Sequence, residues 1–139
     1  MRIHSLLLMV ALLFSAVNFS FAETKPAPGK AKNVPVEVTL NQAEKLMQSN
    51  TNLVILDVRT RKEFAAGHLA KATNLDLYAS DFEKQLARLD KTKPYLVHCA
   101  IGGRSAEARD KMKELGFQTI YHMDGGFKAW QKAGKKSEK

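Results

Sequence analysis

The run Leu53-Val54-Ile55-Leu56, followed by polar Asp57 and Arg59, decides the fold. Four successive apolar residues with no polar alternation have the length of a strand buried on both faces, which is the condition of a central strand in a parallel sheet. Tyr95-Leu96-Val97 repeats the pattern, and Val36-Glu37-Val38 and Thr119-Ile120-Tyr121 supply two further short strands. Between them the period changes to that of helices. Thr39 with Gln42 has the spacing of a capping box, opening a helix whose Leu40, Ala43, Leu46 and Met47 share one face. Residues 62–66 predict a short helix closed by Gly67. Ser80-Asp81 begins another that carries Phe82, Leu86 and Leu89; residues 105–115 form a longer one closed by Gly116, and residues 127–133 the last. Strands alternating with helices predict a single α/β domain over residues 36–133, a three-layer arrangement with a mostly parallel central sheet, helices on both sides and right-handed crossovers.

The 139 residues leave room for one such domain and short appendages, and a composition of 45% apolar and 26% charged residues excludes both a disordered chain and a multispanning membrane protein. Residues 1–22 read as a signal peptide: Arg2 is the one charge, residues 6–21 are an apolar run broken by Ser15, Asn18 and Ser20, and Ser20-Phe21-Ala22 offers small residues where a peptidase cuts. Cleavage after Ala22 is expected, the alternative being an uncleaved membrane anchor, since the run approaches the length of a spanning helix. Cleavage makes the mature protein periplasmic or secreted, without stable membrane association. Residues 23–35, with Pro26, Pro28, Pro35, Gly29 and three lysines, read as a flexible linker, and residues 134–139 as a basic tail that frays.

The net charge of +8 invites a nucleic-acid reading, but its distribution argues against one. Lys25, Lys30, Lys32, Lys132, Lys135, Lys136 and Lys139 lie in the linker or the final residues, with no interleaved aromatic surface on which bases could stack. The weaker consequence is a positive field that attracts small anions. One cysteine excludes an internal disulfide, and four histidines without a cysteine partner set give no structural zinc site; no metal and no organic cofactor is implied.

In α/β sheets ligands bind beyond the carboxyl ends of the strands. Two turns qualify, the one after Leu56 and the one after Val97. The second, His98-Cys99-Ala100-Ile101-Gly102-Gly103-Arg104-Ser105, holds the cysteine. Its glycines permit conformations that turn successive N–H groups of Ala100, Ile101, Gly102 and Gly103 toward one point, where the Cys99 sulfur should sit. The following helix begins there too, its dipole favouring negative charge, and Arg104 adds a cation. These effects stabilise a thiolate over a thiol, so Cys99 is the candidate nucleophile. Ser105 either donates a further hydrogen bond or caps the helix. His98 precedes Cys99 on a strand, so its side chain points to the opposite face.

The chain resembles the rhodanese-like sulfurtransferases, specifically the single-domain exported kind. The matching pieces are Leu56-Asp57-Val58-Arg59, Glu63-Phe64 with Gly67-His68-Leu69 and Ala72-Thr73-Asn74, the loop 99–105, Leu115-Gly116-Phe117, and Gly125-Gly126-Phe127 with Trp130. The resemblance implies a double displacement: the Cys99 thiolate takes the outer sulfur of thiosulfate or a related donor as a persulfide, and cyanide or a thiol then removes it. It implies that Arg104 binds the donor's oxyanion, that the loop amides hold the anionic sulfur, and that Asp57 and His68 are scaffold. Arg59, near the strand end, faces donor or solvent. Glu63, Phe64, Asn74, Phe127 and Trp130 look structural, and His122 has no assigned role. The expected partners are small molecules, and the protein is expected to be a monomer.

Two other readings compete. A cysteine phosphatase or arsenate reductase shares a Cys loop ending in Arg-Ser, but places five residues between Cys and Arg where this chain has four, Ala100 to Gly103, a tighter cradle suited to one sulfur atom. A sulfur-carrier or partner-binding module would use the same cysteine while turning over free thiosulfate poorly.

Overall fold

The computed structural model describes residues 34–139. The leader and all but the end of the linker fall outside them. Five strands form one sheet: β1 (Val36–Val38), β2 (Val54–Asp57), β3 (Thr73–Asn74), β4 (Pro94–His98) and β5 (Thr119–Met123), in the order β1-β5-β4-β2-β3 with every pairing parallel. The expected mostly parallel sheet is wholly parallel. Five helices connect and cover it: α1 (Leu40–Ser49), α2 (Arg61–Ala66), α3 (Phe82–Ala87), α4 (Gly103–Glu114) and α5 (Gly126–Lys132). Among the described residues no helix is long and apolar enough to cross a membrane.

Strand alternation divides the core into two layers. Leu56, Tyr95, Val97 and Ile120 pack with Phe82, Leu86, Ala108 and Met112, on the side of α3 and α4. Ile55, Leu96 and Met123 pack with Ala43, Phe127 and Trp130, on the side of α1 and α5. Neighbouring residues of one strand thus enter opposite layers, as the unbroken apolar runs require.

The helix signals are largely realised. Thr39 and Gln42 close a reciprocal capping box on α1. A second box, Thr60 with Glu63, starts α2 one residue earlier than expected. Helix α4 also begins early, at Gly103, because Gly102 takes up a left-handed conformation (φ 114°) that delivers the chain straight into the first turn. Arg104 and Ser105 therefore sit within that turn.

Two expectations fail. Strand β3 was absent from the sequence pattern because it has only two residues, Thr73 and Asn74; it pairs with Leu56 and Asp57, and the Asn74 amide donates to the backbone oxygens of Asp57 and Arg59. The final residues do not fray. Glu138 exchanges backbone hydrogen bonds with His68, the Trp130 indole donates to Lys136 O, and Lys135 pairs with Glu44. Partners distant in sequence order this tail, which its own composition cannot.

Candidate active site

Strand β4 delivers Cys99 to the carboxyl edge of the sheet, where the loop 99–102 turns into α4. The thiol is buried at the base of an open cleft whose walls include Glu63, Tyr78, Ile101, Arg104 and Lys128. The Gly102 N–H donates to Cys99 Sγ at 3.1 Å, and the Ser105 hydroxyl lies 3.4 Å from it. Burial pushes the thiol toward its neutral form, but the Ser105 hydroxyl and the backbone amides of Ser105, Gly102 and Ile101 together outweigh it and hold the Cys99 pKa below its ordinary value. The hydrogen bonds that reach the sulfur come from the Gly102 amide and the Ser105 hydroxyl rather than from all the loop amides. Of its two expected uses Ser105 shows the hydrogen bond and not the cap: α4 is capped by Gly102 with no side-chain cap bond, and the Ser105 hydroxyl, inside the first turn, also lies within donating distance of Gly102 O at 3.0 Å.

The loop is pinned from behind. Phe127 N–H donates to Cys99 O at 2.8 Å and Lys128 N–H to Ala100 O at 3.0 Å, so the start of α5 fixes the carbonyls while the amides turn toward sulfur. Ala100 is buried beneath this contact, and Ile101 is exposed at the loop tip.

Arg104 does not touch the sulfur. Its two terminal nitrogens donate to the two oxygens of Glu63, both at 2.8 Å, a bidentate pair across the cleft wall. The Arg104 hydrogen bond holds Glu63 down to about 2 against the opposing effect of burial, with Thr60 assisting, so the pair is charged across the ordinary pH range. Glu63 therefore does two things, capping α2 through Thr60 and holding the guanidinium in the wall of the cleft that Cys99 shares. From sequence it has only the structural role, because its partner is distant in the chain and only the fold joins them.

Arg59 does not face solvent, one of its two expected orientations. Its side chain folds back onto Asp57, with Nε at 2.9 Å from Oδ1 and Nη2 at 2.6 Å from Oδ2, donates to Gly67 O at 2.8 Å, and lies 4.1 Å over the Phe127 ring. A guanidinium this enclosed stays charged only with its hydrogen-bonding capacity occupied, which the carboxylate and carbonyl supply. Asp57 is fully buried within this cluster. His98 points to the layer opposite Cys99, with Nε2 3.7 Å from Asp57 Oδ2, and burial lowers its pKa despite that carboxylate. His68 stacks on Phe64 at 3.9 Å and bonds Phe64 O through Nδ1. Asp57 and Arg59 thus form one buried cluster while His68 packs on Phe64, and none of the three lines the cleft that holds Cys99.

Three residues outside the expected set also meet here: Glu63, His122 and Glu37. The latter two join Ser105 from the sheet, His122 Nε2 lying 2.8 Å from the Ser105 oxygen. Among the described residues no group of three or more His, Cys, Asp or Glu side chains is placed to hold a metal ion.

Comparison with known proteins is consistent across sequence and structure. The family model described as Rhodanese-like domain matches residues 39–133. A thiosulfate sulfurtransferase GlpE of Pseudomonas putida is 34% identical over 101 residues, covering 72% of this chain and 84% of that protein. A GlpE of Coxiella burnetii is 32% identical over 80 residues, covering 58% and 73%. Among solved structures, the polysulfide-sulfur transferase homodimer of Wolinella succinogenes aligns with a TM-score of 0.63 at 31% identity, over 74% of this chain and 77% of that one.

Proposed function

The chain belongs to the rhodanese-like sulfurtransferase family, and on that premise we propose that it moves a sulfane sulfur from thiosulfate, or a related anionic donor, to a thiophilic acceptor through a persulfide on Cys99. The observation that carries this reading is the placement of one buried sulfur against the Gly102 amide and the Ser105 hydroxyl, at the foot of a cleft that Arg104 lines. The Cys99 thiolate attacks the outer sulfur of thiosulfate; the sulfur–sulfur bond breaks and its electron pair leaves on sulfite. A preformed thiolate needs no proton abstracted for this attack, which suits a site whose buried carboxylate, Asp57, is sequestered on Arg59. The persulfide's terminal sulfur is again an anion, so the same donors can hold it until cyanide or a thiol attacks it and the Cys99 thiolate departs.

The tightness of the cradle favours this over phosphate chemistry, and a dedicated protein acceptor would use the same persulfide. The apolar leader over residues 1–22 supports placing the reaction outside the cytoplasm, in the periplasm or beyond it. Mass spectrometry after incubation with thiosulfate tests the reading: Cys99 gains one sulfur atom, which cyanide removes as thiocyanate. An unmodified Cys99 together with hydrolysis of p-nitrophenyl phosphate would replace it by a phosphatase.

Arg104 is the residue placed to meet the donor's oxyanion, with two of its N–H groups held by Glu63 and its remaining donors available for the sulfonate end. Arg104→Ala is expected to raise KM for thiosulfate about ten- to a hundredfold, the value of one or two charge-assisted hydrogen bonds, with a smaller change in kcat. Steady-state kinetics at varied thiosulfate checks it. A fall in kcat at unchanged KM would give Arg104 a transition-state role instead.

A further inference from the structure

Parallel register places Glu37 of β1 directly beside His122 of β5. Both occupy positions that alternation assigns to the α4 side of the sheet, as Ile120 does two residues before His122. The His122 ring is buried, with Nδ1 2.5 Å from Glu37 Oε2 and Nε2 2.8 Å from Ser105 Oγ. The other Glu37 oxygen accepts from Arg109 at 2.5 Å, and Arg109 also bonds Asp110. Ser105 Oγ in turn lies 3.4 Å from Cys99 Sγ and 3.0 Å from Gly102 O.

These contacts constrain where the hydrogens lie. A carboxylate only accepts, so His122 Nδ1 carries a hydrogen toward Glu37, and Nε2 is the ring atom whose state can change. Ser105 has a single hydroxyl hydrogen and three acceptors within reach. With Nε2 unprotonated, that hydrogen goes to His122, and the hydroxyl oxygen accepts from the Cys99 thiol. With Nε2 protonated, the ring donates to Oγ and the hydroxyl hydrogen turns to the sulfur.

We propose that Glu37, His122 and Ser105 form a relay that sets the ionisation of Cys99. The thiol arrangement, S–H to Oγ and O–H to Nε2, converts to the thiolate arrangement, O–H to S⁻ and Nε2–H to Oγ, by moving one proton from sulfur to the hydroxyl oxygen and one from the hydroxyl to the ring. The number of protons is unchanged and no solvent base is consumed. Glu37 stabilises the imidazolium so formed, and Arg109 with Asp110 keeps Glu37 in place. His122 and Glu37 are positioning residues, since neither touches the sulfur. The inference rests on Cys99 being the reactive sulfur of the proposed function, but not on which donor supplies it.

The test is the pH midpoint of Cys99 alkylation by iodoacetamide in the wild type, Glu37→Gln, Ser105→Ala and the double variant. Glu37 is half-exposed, so its neutral replacement can be made without opening the core. Through-space electrostatics and the relay predict opposite signs. Removing an anion and releasing Arg109 makes the surroundings more positive and would lower the midpoint; removing the counter-ion of the imidazolium disfavours the thiolate arrangement and raises it. We expect a rise of about one pH unit, a roughly tenfold slower alkylation below the midpoint. In the Ser105→Ala background the same substitution gives no rise. A midpoint that stays or falls in Glu37→Gln, or an equal rise without Ser105, overturns the relay. Alkylation needs no sulfur donor, so that failure is distinct from failure of thiosulfate transfer, which the thiocyanate assay reads separately.

Discussion

Cys99→Ser is expected to abolish sulfur transfer, reducing the proposed thiosulfate-to-cyanide turnover by about a thousandfold or more, while the melting temperature moves by only about a few degrees. Both halves follow from the local structure. Serine places an oxygen where the sulfur sits, and the Gly102 amide and Ser105 hydroxyl still find an acceptor, so the cradle stays satisfied. The opposite side of Cys99 belongs to the layer of Val97, Ala108 and Met112, where exchanging a thiol for a hydroxyl costs about 1 kcal/mol. Activity has no such tolerance. A serine hydroxyl ionises so far above neutral pH that the contacts which suffice for a thiol leave it protonated; nor can it carry sulfur in a bond that a thiol or cyanide readily breaks. Thermal unfolding, thiocyanate formation and the mass of the treated protein, measured together, separate the two effects. Retained turnover would remove Cys99 from the chemistry, and unfolding would make the loss of turnover uninformative about it.

What the sequence made legible was whatever depends on near neighbours. The runs around Ile55 and Leu96 declared a parallel sheet because two-sided burial leaves no room for polar alternation, and Gly102 declared a turn in which amides converge on Cys99. The Thr60–Glu63 capping box was equally local and could have been read, which would have placed Glu63 at the head of α2. His122 could have been found too: strand parity puts it two residues beyond the apolar Ile120, on the face that the helix bearing Ser105 must cover. The remaining features are products of the fold. Arg59 ends a strand and looks available to solvent, but its burial depends on the Phe127 ring that closes over it and on the Gly67 carbonyl that it meets. The Glu63–Arg104 pair joins α2 to α4, and the docking of Glu138 on His68 joins the chain's end to its middle; no spacing within either segment encodes such a contact.

The same distinction governs Gly126, whose substitution by alanine is expected to cost about 2–5 kcal/mol and to displace the loop that carries Cys99. Gly126 has φ 60°, where a side chain costs about 1–2 kcal/mol, and a Cβ there would stand 2.5 Å from Cys99 O and 2.6 Å from Ala100 C. Those neighbours are backbone, so they cannot rotate away as a flexible side chain would; either α5 or the loop has to move, at about 1–3 kcal/mol more. The hydrogen bonds from Phe127 and Lys128 to the same two carbonyls tie the displacement to the amides that face sulfur. Gly116→Ala supplies the comparison, because Gly116 also has positive φ, at 85°, but a methyl group there would meet nothing within 4 Å. It should lose only the backbone part and alkylate at the wild-type rate. Gly126→Ala should melt about 10 °C or more below the wild type and, in its folded fraction, show slower Cys99 alkylation. Equal destabilisation of the two variants would mean that α5 yields freely, and that the loop holds its shape without the close approach of the two backbones.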